Sequence, residues 1–255
     1  MITDFREKKL AEYLLPGQRV LVRFGHGLGD TIMFMPALEA LRQQFPDTQI
    51  DLYVESGQEE IWASVADKDA EGYDFVFSLD FPMAVGTGLT KVARSCVEEL
   101  GIAPVAGLAA LPDCQNPLVA VHFQGTALPG SVNAPDAIAA QVWAEVLAAG
   151  KMPLEAHFEH VFHNPVNVQP ACVSASMREC KPRVSSLIGL LQRCYAFVGV
   201  ASGPFVAAMS IMPERCFYLE GTHPLETYTD IDIPRASVND YQEGSVAEWL
   251  MSLQG

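Results

Sequence analysis

RVLVRFGHGLGDTIMFMPALEALRQQFPDTQIDLYV, residues 19–54, decides how the rest of the chain is read. RVLVRFG interleaves Val and Leu and reads as a buried strand. Three glycines follow within five residues (Gly25, Gly27 and Gly29), as where backbone must approach something closely. The common partner of such a loop is a phosphate, and phosphate loops commonly end in Lys. This one ends in Asp30, and an acid repels phosphate. A helical pattern follows, with Leu38, Leu41 and Phe45 on one face and a stop at Pro46. Pro36 would sit in the second turn of a helix that began at Thr31, where it removes a bond and clashes. Residues 30–35 are therefore expected to form a tight turn or a kinked start. The main helix would begin near Pro36, with Asp30 standing at the strand tip. Asp30 also has a ligand-free explanation, since an acid is a good helix N-cap, worth about 1 kcal/mol.

Outward from this stretch the pattern continues. QIDLYVES (49–56) alternates as a strand, EEIWASVA (59–66) fits a short helix and YDFVFSL (73–79) is a third strand. That order is βαβαβ, the signature of a parallel sheet with helical crossovers. Ala103 to Pro117 holds three prolines and little charge and reads as a linker. The pattern then restarts. Strands are expected at NPLVAVHFQG (116–125), PLEAHFEHVF (153–162), YAFVGVASG (195–203) and ERCFYLEG (214–221). Helices are expected at 135–150, where Ile138, Val142 and Val146 share a face and Gly150 suits the C-cap, at 184–194, and at the C-terminus. The predicted division is 1–112 and 113–255, with the last helix a candidate to pack back on the N-terminal domain.

Composition narrows the function. Hydrophobic residues are 49% of the 255, enough for a sizeable core, which excludes a disordered chain. The formal net charge is −15, and the densest basic cluster, REKK at 6–9, reads as a solvated first turn. Nucleic acid and anionic lipid are therefore not expected partners. No apolar run reaches the roughly 20 residues of a bilayer span. MITDFREKKL lacks a signal-peptide apolar region, so a cytoplasmic location is expected. The cysteines (96, 114, 172, 180, 194 and 216) have no CxxC spacing, which suggests neither a zinc site nor a disulfide framework. His157, His160 and His163 recur every three residues, so on a strand His157 and His160 point opposite ways, which argues against a metal.

Ligands of open α/β sheets bind beyond the carboxyl ends of the strands. Those ends carry GHGLGD, HFQGT, VASGP and LEGTH. In VASGPFVAAMS, Ser202 and Pro204 fit the cap and first positions of a helix whose N–H groups make an anion site, or simply a capped helix. In HFQGTALPGSVNA, His122, Gln124, Thr126, Ser131 and Asn133 offer hydrogen bonds to a ligand, or line a long surface loop. GHGLGD is not GxGxxG, although Glu55 follows at a distance suited to a dinucleotide site.

Two segments carry a resemblance. Residues 19–54 resemble the opening of the family 9 glycosyltransferases, the lipopolysaccharide heptosyltransferases. Gly29-Asp30, Pro36-Ala37-Leu38, and Arg42 with Pro46 match that family in order and spacing. SSLIGLLQRCYAFVGVASGPFVAAMSIMP (185–213) is similar to its donor-site segment. The resemblance is to a shorter and divergent form. It implies a GT-B fold: α/β, with two Rossmann-like domains facing across a cleft. The N-terminal domain would take the acceptor and the C-terminal domain the nucleotide sugar.

The resemblance also assigns roles. Asp30 would be the catalytic base, in an acceptor-side loop with Gly25, His26, Gly27 and Gly29. His122, Gln124, Gly125, Thr126, Ser202 and Gly203 would bind the donor. The implied reaction is inverting, metal-independent transfer of a sugar, heptose being one candidate, from an ADP- or UDP-linked donor to a glycan acceptor, with no cofactor. The helix N-terminus at Ser202–Pro204 would stabilise the leaving diphosphate through Gly203 and the residues after Pro204. The family's pattern has a Lys in the loop that here reads 124–130, and a His where Val206 stands. A second reading follows: a non-catalytic module that binds a nucleotide sugar or sugar phosphate. A third is a nicotinamide-dependent enzyme using GHGLGD.

Overall fold

The structure, a computed structural model, describes residues 2, 7–25, 27–54, 66, 71–79, 117–125, 133–156, 184–229 and 231–253. The chain separates into two compact units, residues 1–107 with 227–230 and residues 108–226 with 231–255. The linker and the expected boundary at 112 lie outside the described residues, as does the short helix expected within 59–66 except for Ala66.

The first unit is built on β1 (Arg19–Phe24), α1 (Leu28–Gln44), β2 (Gln49–Val54) and β3 (Phe75–Ser78). All three strands are parallel, in the order β2-β1-β3. β1 is central, and its Val20, Leu21, Val22 and Phe24 are fully buried, as a strand with a neighbour on each side requires. Ile2 adds a further parallel pairing beside Phe77.

Here the sequence expectation needs correction. α1 does not begin near Pro36; it runs unbroken from Leu28 to Gln44 with Pro36 inside it. The early start places Pro36 in the third turn. Burial outweighs the bond that proline removes: Leu28, Phe34, Leu38 and Leu41 are all buried, and Phe34 stacks on Phe24 with ring centroids 4.5 Å apart. Gly27, not Asp30, is the N-cap, and Asp30 sits in the first turn, where a negative charge suits the helix dipole. At the other end, Arg42 donates to the Ile50 carbonyl through Nη2 at 3.0 Å and Nε at 3.3 Å, which ties the end of α1 to β2.

The second unit contains β4 (Leu118–His122), α2 (Asp136–Ala148), β5 (Met152–Glu155), α3 (Val184–Leu191), β6 (Ala196–Gly199), α4 (Gly203–Ile211), β7 (Cys216–Glu220), β8 (Arg235–Ser237) and α5 (Ser245–Ser252). Its five strands are parallel, in the order β5-β4-β6-β7-β8. Both sheets share one logic. The first strand is interior, the next lies on one side of it, and the third lies on the other. Each unit is a Rossmann-like α/β sheet with a topological switch point, between β1 and β3 and between β4 and β6. No helix among the described residues is long and apolar enough to cross a membrane.

The last helix packs on α2 within its own unit. Val246 and Leu250 are fully buried in that core, and Trp249 packs against Phe217. The tie is Glu145, a buried carboxylate on α2. It accepts from the backbone N–H of Gly244 (2.8 Å), Val246 (2.9 Å) and Ala247 (3.3 Å), from the Tyr241 hydroxyl (3.0 Å) and from Gln141 (3.1 Å). Burial pushes this carboxyl up, but the donors led by Gly244 outweigh it and hold it below the usual glutamate range.

Glu145→Ala should therefore lower stability by about 3 kcal/mol, since it leaves several buried donors unsatisfied. A lowered native pKa means the contribution is present above the unfolded value of 4.5 and fades as pH falls through the native one. In urea unfolding the gap between wild type and variant should narrow in acid; a gap independent of pH would contradict this account.

Candidate functional site

In the second unit the switch point is tightly built. The Val200 N–H donates to the His122 carbonyl at 3.0 Å. Gly199, paired with His122, lies so close that a Cβ there would meet that carbonyl oxygen at 2.9 Å and the Phe197 ring at 2.7 Å. Only glycine fits, and the ends of β4 and β6 are held together. His122 is 5% exposed, with Nδ1 2.6 Å from the carbonyl of Ala156, the residue after β5. A carbonyl can only accept, so Nδ1 carries the hydrogen. His122 thus ties three strand ends together.

The two loops that leave these strands differ in what they offer. Gly125 is buried, and its N–H donates to Asn133 Oδ1 at 2.9 Å, which links the stretch after β4 to the residues just before α2. Gln124 beside it is half-buried; Thr126 and Ser131 lie outside the described residues. Ser202 is the N-cap of α4 and accepts the Phe205 N–H on Oγ at 3.2 Å. Its own hydroxyl donates to the Val200 carbonyl at 3.0 Å. The Val206 N–H is taken by the Ser202 carbonyl at 3.1 Å. Pro204 has no N–H. Of the expected donors, the first N–H groups after Pro204 are taken by Ser202, and Gly203 holds the first helical position, whose N–H has no acceptor within a helix. Residues 117–150 and 194–214 contain neither Lys nor Arg. Neither stretch would bring a cation to a ligand anion at this site.

In the first unit, Gly25 and Gly27 are exposed while Gly29 and Asp30 are half-buried; His26 lies outside the described residues. Gly27 has φ −62°, and nothing lies within 4 Å of a Cβ built on it. Neither backbone strain nor crowding requires glycine there. The Thr31 N–H and hydroxyl both donate to the Gly27 carbonyl, at 3.0 Å each, and fix the first turn that presents Asp30.

One residue escaped the sequence reading altogether. Tyr228 belongs to the short stretch 227–230 that joins the first unit. Burial, and then the Asp30 charge, push its phenol up to about 12. The only sequence signal was its place just beyond the LEGTH strand end. His157, His160 and His163 lie outside the described residues. Among the described residues no group of three or more His, Cys, Asp or Glu is placed to hold a metal ion.

No protein-family model matches the sequence, and no curated protein matches it. Solved structures do. The fold class is that of the GT-B glycosyltransferases. A family 9 glycosyl transferase from Veillonella parvula DSM 2008 superposes with a TM-score of 0.60 at 14% identity, over 94% of this chain and 97% of its own. The E. coli ADP-heptose lipopolysaccharide heptosyltransferase II gives 0.65 at 12% identity, over 92% and 98%. The E. coli heptosyltransferase WaaC, solved with ADP, gives 0.62 at 13% identity, over 92% and 97%. The family 9 resemblance read from Gly29-Asp30 and the Ser202–Pro204 turn is thus matched by a likeness in fold along most of the chain.

The crowding at Gly199 makes a direct test. Gly199→Ala should cost about 1–3 kcal/mol, because the new methyl meets backbone and a buried ring. Its thermal midpoint should fall clearly, whereas Gly27→Ala should leave it nearly unchanged. Equal midpoints for the two variants would contradict the geometry.

Proposed function

We propose that this protein is a glycosyltransferase that moves a sugar from a nucleotide diphosphate donor to a glycan hydroxyl with inversion. What carries the reading is the pair of groups at the two switch points. The fold is shared with heptosyltransferases, and within it a carboxylate, Asp30, occupies the switch point of the first unit while a capped helix N-terminus, at Ser202–Gly203, occupies that of the second. The first unit would hold the acceptor and the second the nucleotide sugar. ADP is favoured as the nucleotide, because WaaC was solved with it and a second structural neighbour is an ADP-heptose enzyme.

The chemistry suits these groups. Asp30 takes the proton of the acceptor hydroxyl as its oxygen attacks the anomeric carbon. A new glycosidic C–O bond forms, and the bond to the diphosphate breaks with its electron pair going to the phosphate oxygen. The Gly203 N–H and the α4 dipole stabilise the charge that develops there. No cofactor is called for, and transfer should persist in a chelator.

A second reading has its own support. With neither Lys nor Arg in 117–150 or 194–214, stabilisation of the leaving diphosphate is thin, which favours a module that binds nucleotide sugars without transfer. A nicotinamide enzyme on GHGLGD is disfavoured, since Asp30 puts a negative charge in the first turn of α1, the helix end that would take a pyrophosphate.

A thermal-shift panel of ADP- and UDP-sugars, followed by a transfer assay, separates these readings. A ligand at about 100 times its dissociation constant adds about 2.7 kcal/mol of stability. Asp30→Asn should keep the shift and lose about 10²–10⁴-fold in turnover. A shift with no turnover by wild type would favour the binding module, and neither a shift nor turnover would remove both readings.

A further inference from the structure

We infer, on the reading that the second unit takes the nucleotide sugar, that His122 holds the donor's diphosphate as an imidazolium, so that binding takes up a proton. His122 is the last residue of β4 and pairs with Gly199, the last residue of β6. Paired residues of neighbouring strands share a face of the sheet. Two places earlier Ala120 pairs with Phe197, and the Phe197 ring packs on Phe205 in the first turn of α4, with centroids 6.4 Å apart. His122 therefore stands on the face that α4 covers, at the carboxyl end of the sheet, where ligands of such folds bind. Its ring is fixed there. Nδ1 donates to the Ala156 carbonyl at 2.6 Å, just past β5. The two nitrogens of an imidazole diverge, so Nε2 points away from β5. The other neighbour of β4 is β6, and Gly199 puts no side chain between that strand end and the ring.

With Nδ1 committed as a donor, the ring has two states. Neutral, it offers Nε2 as an acceptor; protonated, Nε2 donates and the ring carries a full positive charge. Burial disfavours that charge unless an anion lies beside it. A diphosphate is such an anion, and 117–150 and 194–214 bring it neither Lys nor Arg. His122 is thus the side chain at this strand end that can become a cation when the ligand arrives, with the proton drawn from solvent. Among the described residues the surrounding groups leave this role to it. β6 and α4 contain no ionisable side chain. β5 brings Glu155, whose pairing with Val121 puts it on the opposite face, in the core that α2 covers. β7 brings Cys216 and Tyr218, which donate to the carbonyls of Met212 and His223.

Calorimetric titration of the protein with ADP-glucose and with UDP-glucose tests this. Both diphosphates are doubly esterified and keep their charge near neutral pH, so a pH dependence belongs to the protein. Affinity should rise about tenfold from about pH 8 to about pH 6, because one linked proton changes it by at most about tenfold per unit. The heat of binding should also vary with the ionisation enthalpy of the buffer, as proton uptake requires. His122→Asn keeps an N–H for the Ala156 carbonyl but takes no charge, and it should bind with the weaker, alkaline affinity of wild type at every pH. Should that variant fail to fold, nitrogen NMR of histidine-labelled wild type decides: Nε2 of His122 should move from the acceptor to the protonated range when the ligand is added. Binding independent of pH, a pH dependence that survives in His122→Asn, or an Nε2 signal the ligand leaves in place overturns the inference and leaves the donor reading standing. Binding of neither compound at any pH overturns both.

Discussion

The contact of Gly199 with the His122 carbonyl sets the geometry of the second unit. A Cβ at that position would sit 2.9 Å from a backbone oxygen, so the ends of β4 and β6 stay as close as they are only while the residue is glycine. The Gln124–Gly125 and Ser202–Gly203 stretches leave from those two strand ends. The Val200 N–H closes on the same carbonyl, and the His122 ring ties it to the end of β5. The switch point is thus rigid where strands meet, and the loops beyond it, Gln124–Gly125 and Ser202–Gly203, begin from fixed positions. The first unit reaches the same topology by apolar packing, with Phe24 on β1 stacked against Phe34 on α1.

Much of the fold was legible because parallel strands buried on both faces read as near-continuous apolar runs. RVLVRF, LVAVH, AFVG and CFYLE all became strands. Two features misled. Pro36 argued against a helix through 30–35, yet local propensity lost to the burial of Leu28, Phe34, Leu38 and Leu41. The glycines at 25–29 suggested a crowded strand tip, yet Gly27 has open space around it. Two further features had no local signature. β8 is three residues long, too short for a periodic pattern. The Glu145 cap joins positions about a hundred residues apart, and only the fold brings them together.

The candidate site was legible in part. The places of Asp30 near the tip of β1 and of Ser202 at the cap of α4 were legible because strand ends and helix caps follow rules a sequence can show. Their hydrogen bonds were not. The sequence could not reveal that Ser202 occupies the Phe205 and Val206 N–H groups, nor that Asn133 occupies the Gly125 N–H. These bonds take up N–H groups that the sequence reading had counted as open to a ligand.

The account turns on whether a helix N-terminus can hold a nucleotide diphosphate without a nearby Lys or Arg from its own loops. Titration of the isotope-labelled protein with ADP, followed by backbone amide NMR, asks this of one atom. The account predicts that the Gly203 amide shows the largest downfield shift and that the amides of Leu28, Gly29 and Asp30 stay put. Shifts that cluster at Leu28–Asp30 and leave Gly203 unmoved would contradict it.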